Sequence, residues 1–330
     1  MATRNDVARL AGVSGATVTR VLTNANLVSA ATREKVMKAI RELDYHPNYS
    51  GQILKGKSTH QILFFCPDMY NPFYVHVYYG MDDYAQKQGY GIILTRHFDR
   101  EVIQRGRYDG VVLSITDEKR HWEQIEFLNS INLPFVAANF YQASLEMPNV
   151  ALDYDQASGL TVQHLRELGH RKLAYISDVS GEDAKWNTIL AHIQTDESMR
   201  CDKLVLNPAP ELYDNLYEAG FLYAERIYRL IQPPTAVIAA NDALATGFLS
   251  GLSRINVSVP KDLSVISFDD TYMSRFTIPP LTTVHFPKYE MGHALMKTLL
   301  SLLENKPYDS APLASRLIVR GSTSACKDGA

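Results

Sequence analysis

The sequence is poor in cysteine and has no long apolar segment, and these two absences limit the classes of protein it can encode. Its three cysteines among 330 residues, Cys66, Cys201 and Cys326, lie far apart and form no Cys-x-x-Cys pair. Isolated cysteines in odd number predict reduced thiols and argue against a disulfide framework or a zinc site. No apolar run approaches the ~18 residues of a membrane span, and the first residues are polar, so neither a transmembrane segment nor a signal peptide is indicated. We therefore expect a cytoplasmic protein.

A catalytic set of residues is also missing. No G-x-S-x-G nucleophile motif occurs, and the pair Asp269-Asp270 has no histidine at a spacing that suggests catalysis or metal binding. Other histidines are scattered over predicted loops and surfaces, namely His60, His76, His97 and His121. We therefore expect a protein that is not an enzyme and that holds neither a cofactor nor a metal ion.

Positive charge is scarce over most of the chain and concentrated at its start. The net charge is -3, but residues 1–58 hold nine Lys/Arg against four Asp/Glu, a net charge of +5, and the remainder holds 24 against 32, a net charge of -8. A basic head on an acidic body suits a head that contacts phosphate groups. The same bias is also found on ordinary solvated surfaces, so the charge alone does not decide.

Two short helices joined by a glycine turn are predicted in the first 23 residues. The first helix begins with a capping box of Thr3 and Asp6, and it ends at Gly12, because glycine enters a left-handed turn without steric cost. Its inner side is formed by Val7, Leu10 and Ala11. The second helix is capped by Ser14. Its inner side is Val18, Val21 and Leu22, and its outward residues are Gly15, Ala16, Thr17, Thr19 and Arg20.

A third helix completes a small core. It is capped by Ser29 and ends before Pro47, and its buried stripe has the i, i+3, i+4, i+7 spacing of an amphipathic helix in Val36, Ala39, Ile40 and Leu43. The first two helices are predicted to form a helix-turn-helix, whose second helix would enter the major groove of DNA. A three-helix unit that binds another protein is the alternative.

The stretches TRNDVARLAGVSGATVTRVLTN and VSAATREKVMKAIRELDYHPN resemble the DNA-binding head of the LacI/GalR family of bacterial transcription regulators. The resemblance implies base-reading positions at Gly15, Ala16 and Arg20. Gly15 allows close backbone approach, Ala16 offers a methyl contact to thymine, and Arg20 is the one strong donor to a guanine. We assign phosphate contacts to Ser14, Thr17 and Thr19, a further base contact to Asn26, and additional DNA contacts to Thr3 and Tyr45.

The stretch GQILKGKS, residues 51–58, matches the phosphate-loop pattern G-x-x-x-x-G-K-[ST] in full. That loop needs a strand before it and a helix after it, whereas here a Pro turn precedes it and the apolar run QILFF follows. A nucleotide hydrolase is therefore the weaker alternative. The family resemblance implies instead a hinge helix in which Leu54 wedges into the minor groove and Lys55 contacts DNA. Gly51 departs from the family pattern and should weaken this helix by about 1 kcal/mol relative to alanine.

From Gln61 onward, short apolar runs alternate with helical patterns. The predicted strands are QILFF, YGIILT, GVVLS, PFVAA, KLAYIS, KLVL, AVIAA and LSVISF, and helices are predicted over residues 73–87, 155–168, 216–230 and 242–252. Only residues 96–109 separate the second and third strands, which leaves room for at most a single helical turn. The alternation indicates parallel sheets covered on both faces. Eight strands could form one large sheet or two.

The family resemblance decides for two sheets. LGHRKLAYIS, PPTAVIAANDALATG, VPKDLSVISFDD, IPPLTTV and LIVRGST are similar to landmarks of the family's ligand-binding body, which resembles type I periplasmic sugar-binding proteins. The implied fold is a small all-α helix-turn-helix head plus an α/β body of two parallel-sheet subdomains. The implied limits are 1–47 for the head, 48–60 for the hinge and linker, 61–157 with 286–316 for subdomain one, and 158–285 with 317–330 for subdomain two.

Ligands in open α/β sheets lie beyond the carboxyl ends of the strands, so the effector site is sought there. In subdomain one the candidates are Asp68, Asn71, Phe73 and Asn139, each of which follows a predicted strand. The pair Asn71-Pro72 is explained equally well as a turn that opens a helix.

In subdomain two the resemblance implies that Asp269 accepts ligand hydroxyls and that Asn241 is a second polar contact. Lys185 and Asn187 are further effector-binding candidates: relatives often place an arginine at the position of Asn187, and Lys185 is the nearest cation here. This departure leaves the particular sugar open.

Together these features predict a homodimeric regulator that binds double-stranded operator DNA and is expected to repress a catabolic operon. A small-molecule effector, expected to be a sugar or sugar derivative, would control the affinity for the operator. A nucleobase that acts as a co-repressor is the alternative within the same class, and no membrane partner is expected.

Overall fold

The computed structural model divides into two compact units, residues 1–59 and residues 60–330. Within them it describes residues 2–23, 28–43, 45, 58–66, 69, 71–114, 118–138, 147–177, 183–205, 216–228, 233–309 and 311–327. No helix in these ranges is both long enough and apolar enough to cross a membrane. The narrower limits predicted from the sequence for the head, the hinge and the two subdomains stay predictions.

Three helices form the small unit, namely α1 (Arg4–Ala11), α2 (Gly15–Thr23) and α3 (Ala30–Glu42). The capping box is present, because Asp6 N donates to Thr3 Oγ1 over 3.3 Å and Thr3 N donates to Asp6 Oδ2 over 2.9 Å. Gly12 ends α1 with a φ of 64°. Thr17 N donates to Ser14 Oγ over 3.1 Å at the start of α2. The predicted helix-turn-helix is therefore confirmed.

The core of the small unit contains the buried residues Val7, Ala8, Ala11, Val18, Val21, Val36 and Ala39. The predicted inner side of α1 is wrong at Leu10, whose side chain is 48 % exposed, whereas Ala8 is buried. Val7, Ala8 and Ala11 share one stripe because residues three and four apart lie on one helix face. Leu10 lies at the flank of that stripe, and the small alanines let α1 approach its neighbours closely. The side chain of Leu22 lies outside the described set.

The large unit contains two separate sheets. The first consists of β1 (Gln61–Phe65), β2 (Gly91–Thr95), β3 (Gly110–Ser114), β4 (Phe135–Ala138) and β5 (Asn149–Val150). Its strand order is β2-β1-β3-β4-β5, and every neighbouring pair is parallel. All residues of β3 and β4 are buried, as expected of parallel strands covered on both faces.

The second sheet consists of β6 (Lys172–Ser177), β7 (Arg200–Val205), β8 (Ala236–Ala239), β9 (Ser264–Asp269), β10 (Thr282–His285) and β11 (Arg316–Ile318). Its order is β11-β10-β9-β8-β6-β7. The two-sheet prediction is confirmed, with one correction: β11 runs antiparallel to β10, so the second sheet is not wholly parallel. β11 lies at the edge of the sheet and has a single neighbour, β10, so its reversed direction disturbs the hydrogen bonds of no other strand.

The helices of the large unit are α4 (Pro72–Lys87), α5 (Arg100–Arg105), α6 (Glu118–Ser130), α7 (Tyr154–Glu167), α8 (Ala184–Gln194), α9 (Leu216–Tyr228), α10 (Asp242–Arg254) and α11 (Lys288–Leu303). The shortened helix between β2 and β3 is confirmed as α5, but its six residues exceed the single turn that the sequence predicted. Asp99 caps α5 from the loop after β2, so fewer residues are spent in the connection.

Helix α11 packs against α4 of the first sheet although it follows a strand of the second. A Cβ atom added at Gly80 would lie 1.9 Å from Tyr289 O, and one added at Gly292 would lie 1.9 Å from Val77 O. The two helix backbones are therefore in direct contact, and the chain returns to the first half of the body after β10. Close to this return, Leu313 N donates to Ala151 O over 2.9 Å, which joins two further connecting segments.

Candidate functional site

The outward side of α2 carries the residues predicted to read DNA. Ala16 and Arg20 are exposed, and Gly15, Thr17 and Thr19 are half-buried. Arg20 forms no ion pair with any described residue. The helix therefore presents one extended cation beside small side chains, which suits close approach to a DNA groove.

Several predicted phosphate-contacting hydroxyls already form hydrogen bonds within the head. Ser14 Oγ and Thr17 Oγ1 lie 3.0 Å apart, and Thr19 Oγ1 donates to Gly15 O over 3.0 Å. Thr3 donates its hydroxyl to Asp6 in the capping box. Thr3 and Thr19 therefore donate their hydroxyl hydrogens within the head, and of Ser14 and Thr17 one hydroxyl donates to the other. The side chain of Tyr45 is half-buried against the head core.

The sequence analysis missed Arg4. Its Nη1 donates to Thr19 Oγ1 over 3.4 Å, and a Cβ atom added at Gly15 would lie 3.4 Å from its Nε. Arg4 therefore contacts α2 next to two predicted DNA-contacting positions. Its sequence signal was only that of a basic residue in the first turn of a helix.

Five predicted site residues lie outside the described set, namely Asn26, Leu54, Lys55, Asp68 and Asn139. Of the phosphate-loop pattern only Ser58 is described. The following run, Gln61–Phe65, is the strand β1, so the motif precedes a strand, whereas a phosphate loop follows one.

Two candidates follow β1. Asn71 is the N-cap of α4, because its Oδ1 accepts a hydrogen bond from Phe73 N over 3.0 Å. Phe73 is buried in the main hydrophobic core and packs edge-on against Tyr74 with 5.1 Å between ring centres. The structure thus gives both residues a structural role, and their ligand contacts stay a prediction.

Candidates of the second sheet converge at the carboxyl ends of β8 and β9. Asn241 follows β8 and caps α10, accepting a hydrogen bond from Leu244 N over 2.8 Å. Asp269 ends β9, is buried, and has a φ of 108°. Lys185, from the first turn of α8, donates to Ala240 O over 2.6 Å and so lies at the same edge. Asn187 is exposed on α8.

Next to Asp269, the sequence analysis missed a buried ionic cluster around Asp270. The carboxylate of Asp270 accepts hydrogen bonds from Arg320 and from His285 Nδ1, the latter over 2.9 Å. Burial opposes ionisation of Asp270, but these hydrogen bonds and the charges of Arg320 and Lys288 hold its pKa well below the usual range. The cluster ties the end of β9 to β10 and to the segment after β11.

Asp242 is a second buried carboxyl group that was missed. It accepts hydrogen bonds from Ser267 Oγ over 2.5 Å, from Thr271 N over 2.5 Å and from Thr283 Oγ1 over 2.8 Å. Burial raises its pKa, against the effect of these hydrogen bonds. Asp242 therefore connects the start of α10 with β9, β10 and the segment after β9. Its only sequence signal was its place after Asn241.

No group of three or more metal-ligating side chains occurs in the described part of the chain. The helix-turn-helix head with an exposed arginine, and the polar residues gathered at the carboxyl ends of parallel strands, define a class of protein: a DNA-binding regulator with a ligand-binding body.

Comparisons with known proteins agree with this class. Residues 3–48 match the family of bacterial regulatory proteins of the lacI type, and residues 162–323 match the periplasmic binding protein-like domain. The chain is 34 % identical to the HTH-type transcriptional repressor CytR of Escherichia coli K12, covering 98 % of this chain and 97 % of that one.

Solved structures give the same result. A lac repressor dimer bound to operator and the anti-inducer ONPF matches with a TM-score of 0.80 and 25 % identity, over 98 % of this chain and 99 % of that one. A transcriptional regulator CelR–cellobiose complex matches with a TM-score of 0.67 and 25 % identity, over 98 % and 100 %. The chain belongs to the LacI family of bacterial regulatory proteins, and it is a DNA-binding transcription regulator.

Proposed function

We propose that the protein is a homodimeric repressor whose affinity for its operator is set by a small effector bound at the carboxyl ends of β8 and β9. The observation that carries this proposal is the convergence of Asn241, Asp269 and Lys185 at one sheet edge, in a chain whose head exposes Arg20.

Operator reading is assigned to α2. Arg20 supplies paired donors for a guanine, and Ala16 supplies a methyl contact to thymine. Gly15 and Ala16 leave few other base contacts, so the deformability of the central operator step contributes much of the specificity. In the family the wedge at the position of Leu54 kinks that step, and we assign the same role to Leu54.

The effector proposed for this edge is a sugar or a sugar derivative. The carboxylate of Asp269 and the amide of Asn241 are groups that bind hydroxyls, and a relative of similar fold is seen with cellobiose. A nucleobase acting as co-repressor is the alternative.

Control of DNA binding requires that the effector prefer one arrangement of the two body halves. The effector shifts the population between two body conformations by no more than its difference in affinity for them. Connecting segments pass between the halves at Leu152 and Leu313 and again at Phe286. A movement at these segments would change the position of one sheet relative to the other.

An apolar surface supports the proposed dimer. Four large apolar side chains within seven residues are exposed, with exposed fractions of 63 % for Tyr272, 44 % for Met273, 60 % for Phe276 and 93 % for Ile278. A groove of about 410 Å³ borders this surface at Ile278 and Pro279. Tyr272 and Phe276 are also in ring contact, with 4.9 Å between ring centres. Exposed apolar side chains grouped in this way are typical of a protein interface, and a two-fold dimer matches a pseudo-palindromic operator.

We place the protein in the cytoplasm, where its operator is accessible, and assign it no catalytic activity. GQILKGKS lies ahead of β1 in the chain, which supports a connecting role for this stretch over a nucleotide site.

The proposal is tested by comparing the full chain with a variant that lacks residues 1–58, since residues 60–330 form a separate compact unit. The shortened protein should lose operator binding in a gel-shift assay and keep effector binding in a thermal-shift assay. A headless protein that still shifts operator DNA would refute the assignment.

A further inference from the structure

The ammonium group of Lys185 lies in an unusual environment for a lysine. Besides its hydrogen bond to Ala240 O, Lys185 Nζ lies 5.5 Å from the ring centre of Tyr154, 5.3 Å from that of Phe268 and 5.9 Å from that of Phe286. Phe268 and Phe286 are fully buried and stack with 6.1 Å between ring centres and 12° between planes. A flexible surface side chain is thus held on a rigid aromatic cluster.

These partners come from the parts of the body where an effector is expected. Ala240 and Phe268 directly precede Asn241 and Asp269, at the ends of β8 and β9. Tyr154 begins α7 and Phe286 follows β10, so both aromatic residues belong to segments that connect the two halves. Lys185 therefore lies between the proposed effector residues and the connecting segments.

No carboxylate of the described residues forms an ion pair with Lys185. Three carboxylates close in sequence to Lys185, Ala240 and Phe268 are held by other donors: Asp183 by Tyr175 and Ser177, Asp242 by Ser267 and Thr283, and Asp270 by Arg320 and His285. A carbonyl oxygen and aromatic faces supply only partial negative charge. Lys185 is half-buried, and no described carboxylate lies within the 4 Å of an ion pair from its ammonium, so this positive charge is open to an anionic ligand.

The ammonium also keeps hydrogen-bonding capacity. An ammonium group has three donors, and the described residues use one of them, toward Ala240 O. A neutral hydroxyl could accept one of the others but would leave the charge of Lys185 uncompensated. An anionic oxygen satisfies both requirements, and hydrogen bonds between ionised partners are roughly twice as strong as neutral ones.

We propose that the effector carries an anionic group, a carboxylate or a phosphate, and that Lys185 binds it. The inference rests on the proposed function, because it takes this sheet edge as the effector site. In this arrangement Asp269 and Asn241 bind the hydroxyl groups of the ligand, and Lys185 selects acidic or phosphorylated sugars over their neutral parents.

The test uses the full chain and inorganic phosphate as the first probe. The sequence has two tryptophans, Trp122 and Trp186, so the substitution Trp122→Phe leaves Trp186, which follows Lys185, as the single tryptophan to be excited selectively. Phosphate titrated against chloride at constant ionic strength should change the Trp186 fluorescence in a saturable way. Adding Lys185→Met should weaken this binding by about tenfold or more, the loss expected for a charged hydrogen bond. Lys185→Arg should restore most of it, and Lys261→Met, at an exposed lysine, should change nothing.

Matched ligand pairs form the second probe. Ribose 5-phosphate is compared with ribose, and glucuronate and glucose 6-phosphate are compared with glucose, by thermal shift and by displacement of phosphate. The acidic or phosphorylated member of at least one pair should bind more tightly than its neutral parent, and Lys185→Met should remove that difference. An absent phosphate response, or one equal in the Lys185→Met variant, overturns the inference.

The two proposals fail in different ways. One outcome is that neutral sugars bind and release operator DNA, with the same affinity in the Lys185→Met variant. In that case the regulator proposal stands and the anionic effector is refuted. If anionic ligands bind through Lys185 without altering operator affinity, the anion site stands and effector control from this edge is refuted.

Discussion

The ammonium group of Lys288 donates a hydrogen bond to the backbone carbonyl oxygen of Asp269, although the two residues belong to different halves of the body. Lys288 is the first residue of α11, which packs on α4, whereas Asp269 ends β9. Lys288 also donates to the carbonyl oxygens of Asp270 and Phe286, each over 3.2 Å.

This contact stabilises a strained turn. Asp269 and Asp270 have φ values of 108° and 50°, in a region that residues other than glycine rarely adopt. The carbonyl groups of both residues are held by one buried cation from the other half. A movement of one half of the body relative to the other therefore acts directly on the backbone of Asp269, whose carboxylate is proposed to bind the effector.

Lys288→Met should destabilise the body and weaken its response to effector. Removing the ammonium leaves buried carbonyl groups unsatisfied, so the free energy of unfolding should fall by about 2–4 kcal/mol in urea titrations. The ratio of operator affinities with and without effector should also move toward one. Lys297→Met, at an exposed lysine of the same helix, is the matched control. An unchanged affinity ratio in a folded Lys288→Met protein would contradict the link between the halves.

Asp270→Asn should cost stability in a pH-dependent way. Because the pKa of Asp270 is lowered in the folded protein, its ionised form stabilises the fold above the unfolded pKa of ~3.9, and this contribution is lost as the pH falls below that value. Loss of the pairing with Arg320 should cost about 3 kcal/mol at pH 7. The difference from wild type, measured by urea unfolding, should shrink toward pH 3. A constant difference across this range, or an equal effect of Glu197→Gln at an exposed position, would argue against the cluster.

Arg20→Ala should relax base preference at one base pair in each operator half-site. The bidentate contact to guanine is worth about 1–3 kcal/mol of discrimination. Binding to a library of operator variants measures this preference. Arg33→Ala removes an exposed cation of α3 and serves as the control. If Arg20→Ala weakens all sequences equally, Arg20 contacts only phosphate.

Gly247→Ala should separate α9 from α10. An added Cβ atom would lie 1.8 Å from Tyr217 O, and a backbone oxygen cannot move aside as a side chain can. Overpacking of this kind costs about 1–3 kcal/mol, more than alanine gains in helix propensity. Gly159→Ala in α7 is the matched control, because its Cβ would meet only the ring of His192 at 3.1 Å. Equal melting temperatures for the two variants would rule out the close contact.

Phe276→Asp should dissociate the proposed dimer. A carboxylate placed in the exposed apolar surface would lose its hydration on association, which opposes the contact. Light scattering after size-exclusion chromatography should show a monomer, and operator affinity should fall because each head then binds alone. Leu222→Asp, at an exposed leucine of α9, should remain dimeric. A Phe276→Asp protein that stays dimeric would place the interface elsewhere.

The head was largely predictable from the sequence because its signals are local. The Thr3–Asp6 capping box, the left-handed Gly12 and the Ser14 cap each depend on residues within four positions of one another. Leu10 was mispredicted because helix periodicity gives a stripe but not its exact centre. That centre is decided by the residues packed against it.

Strands of the body were also predictable, since a fully buried parallel strand is a nearly continuous apolar run. KLVL was placed too late, because β7 begins at Arg200 and its first residues are polar and lie at the sheet edge. The strands β5 and β11 were not predicted, because two and three residues are too few to show a periodic pattern. The antiparallel direction of β11 likewise has no signal in so short a segment.

The sequence by itself determined the family, the helix-turn-helix, the alternation of strands and helices and the positions of Asn241 and Asp269, because these depend on local propensity, caps and apolar runs. Tertiary structure decided which distant residues share one site. The contacts of Asp270 with Arg320 and of Lys185 with Phe286 join residues 50 and 101 positions apart. Such contacts arise when sheet order and helix packing bring remote segments together, and no local pattern encodes them.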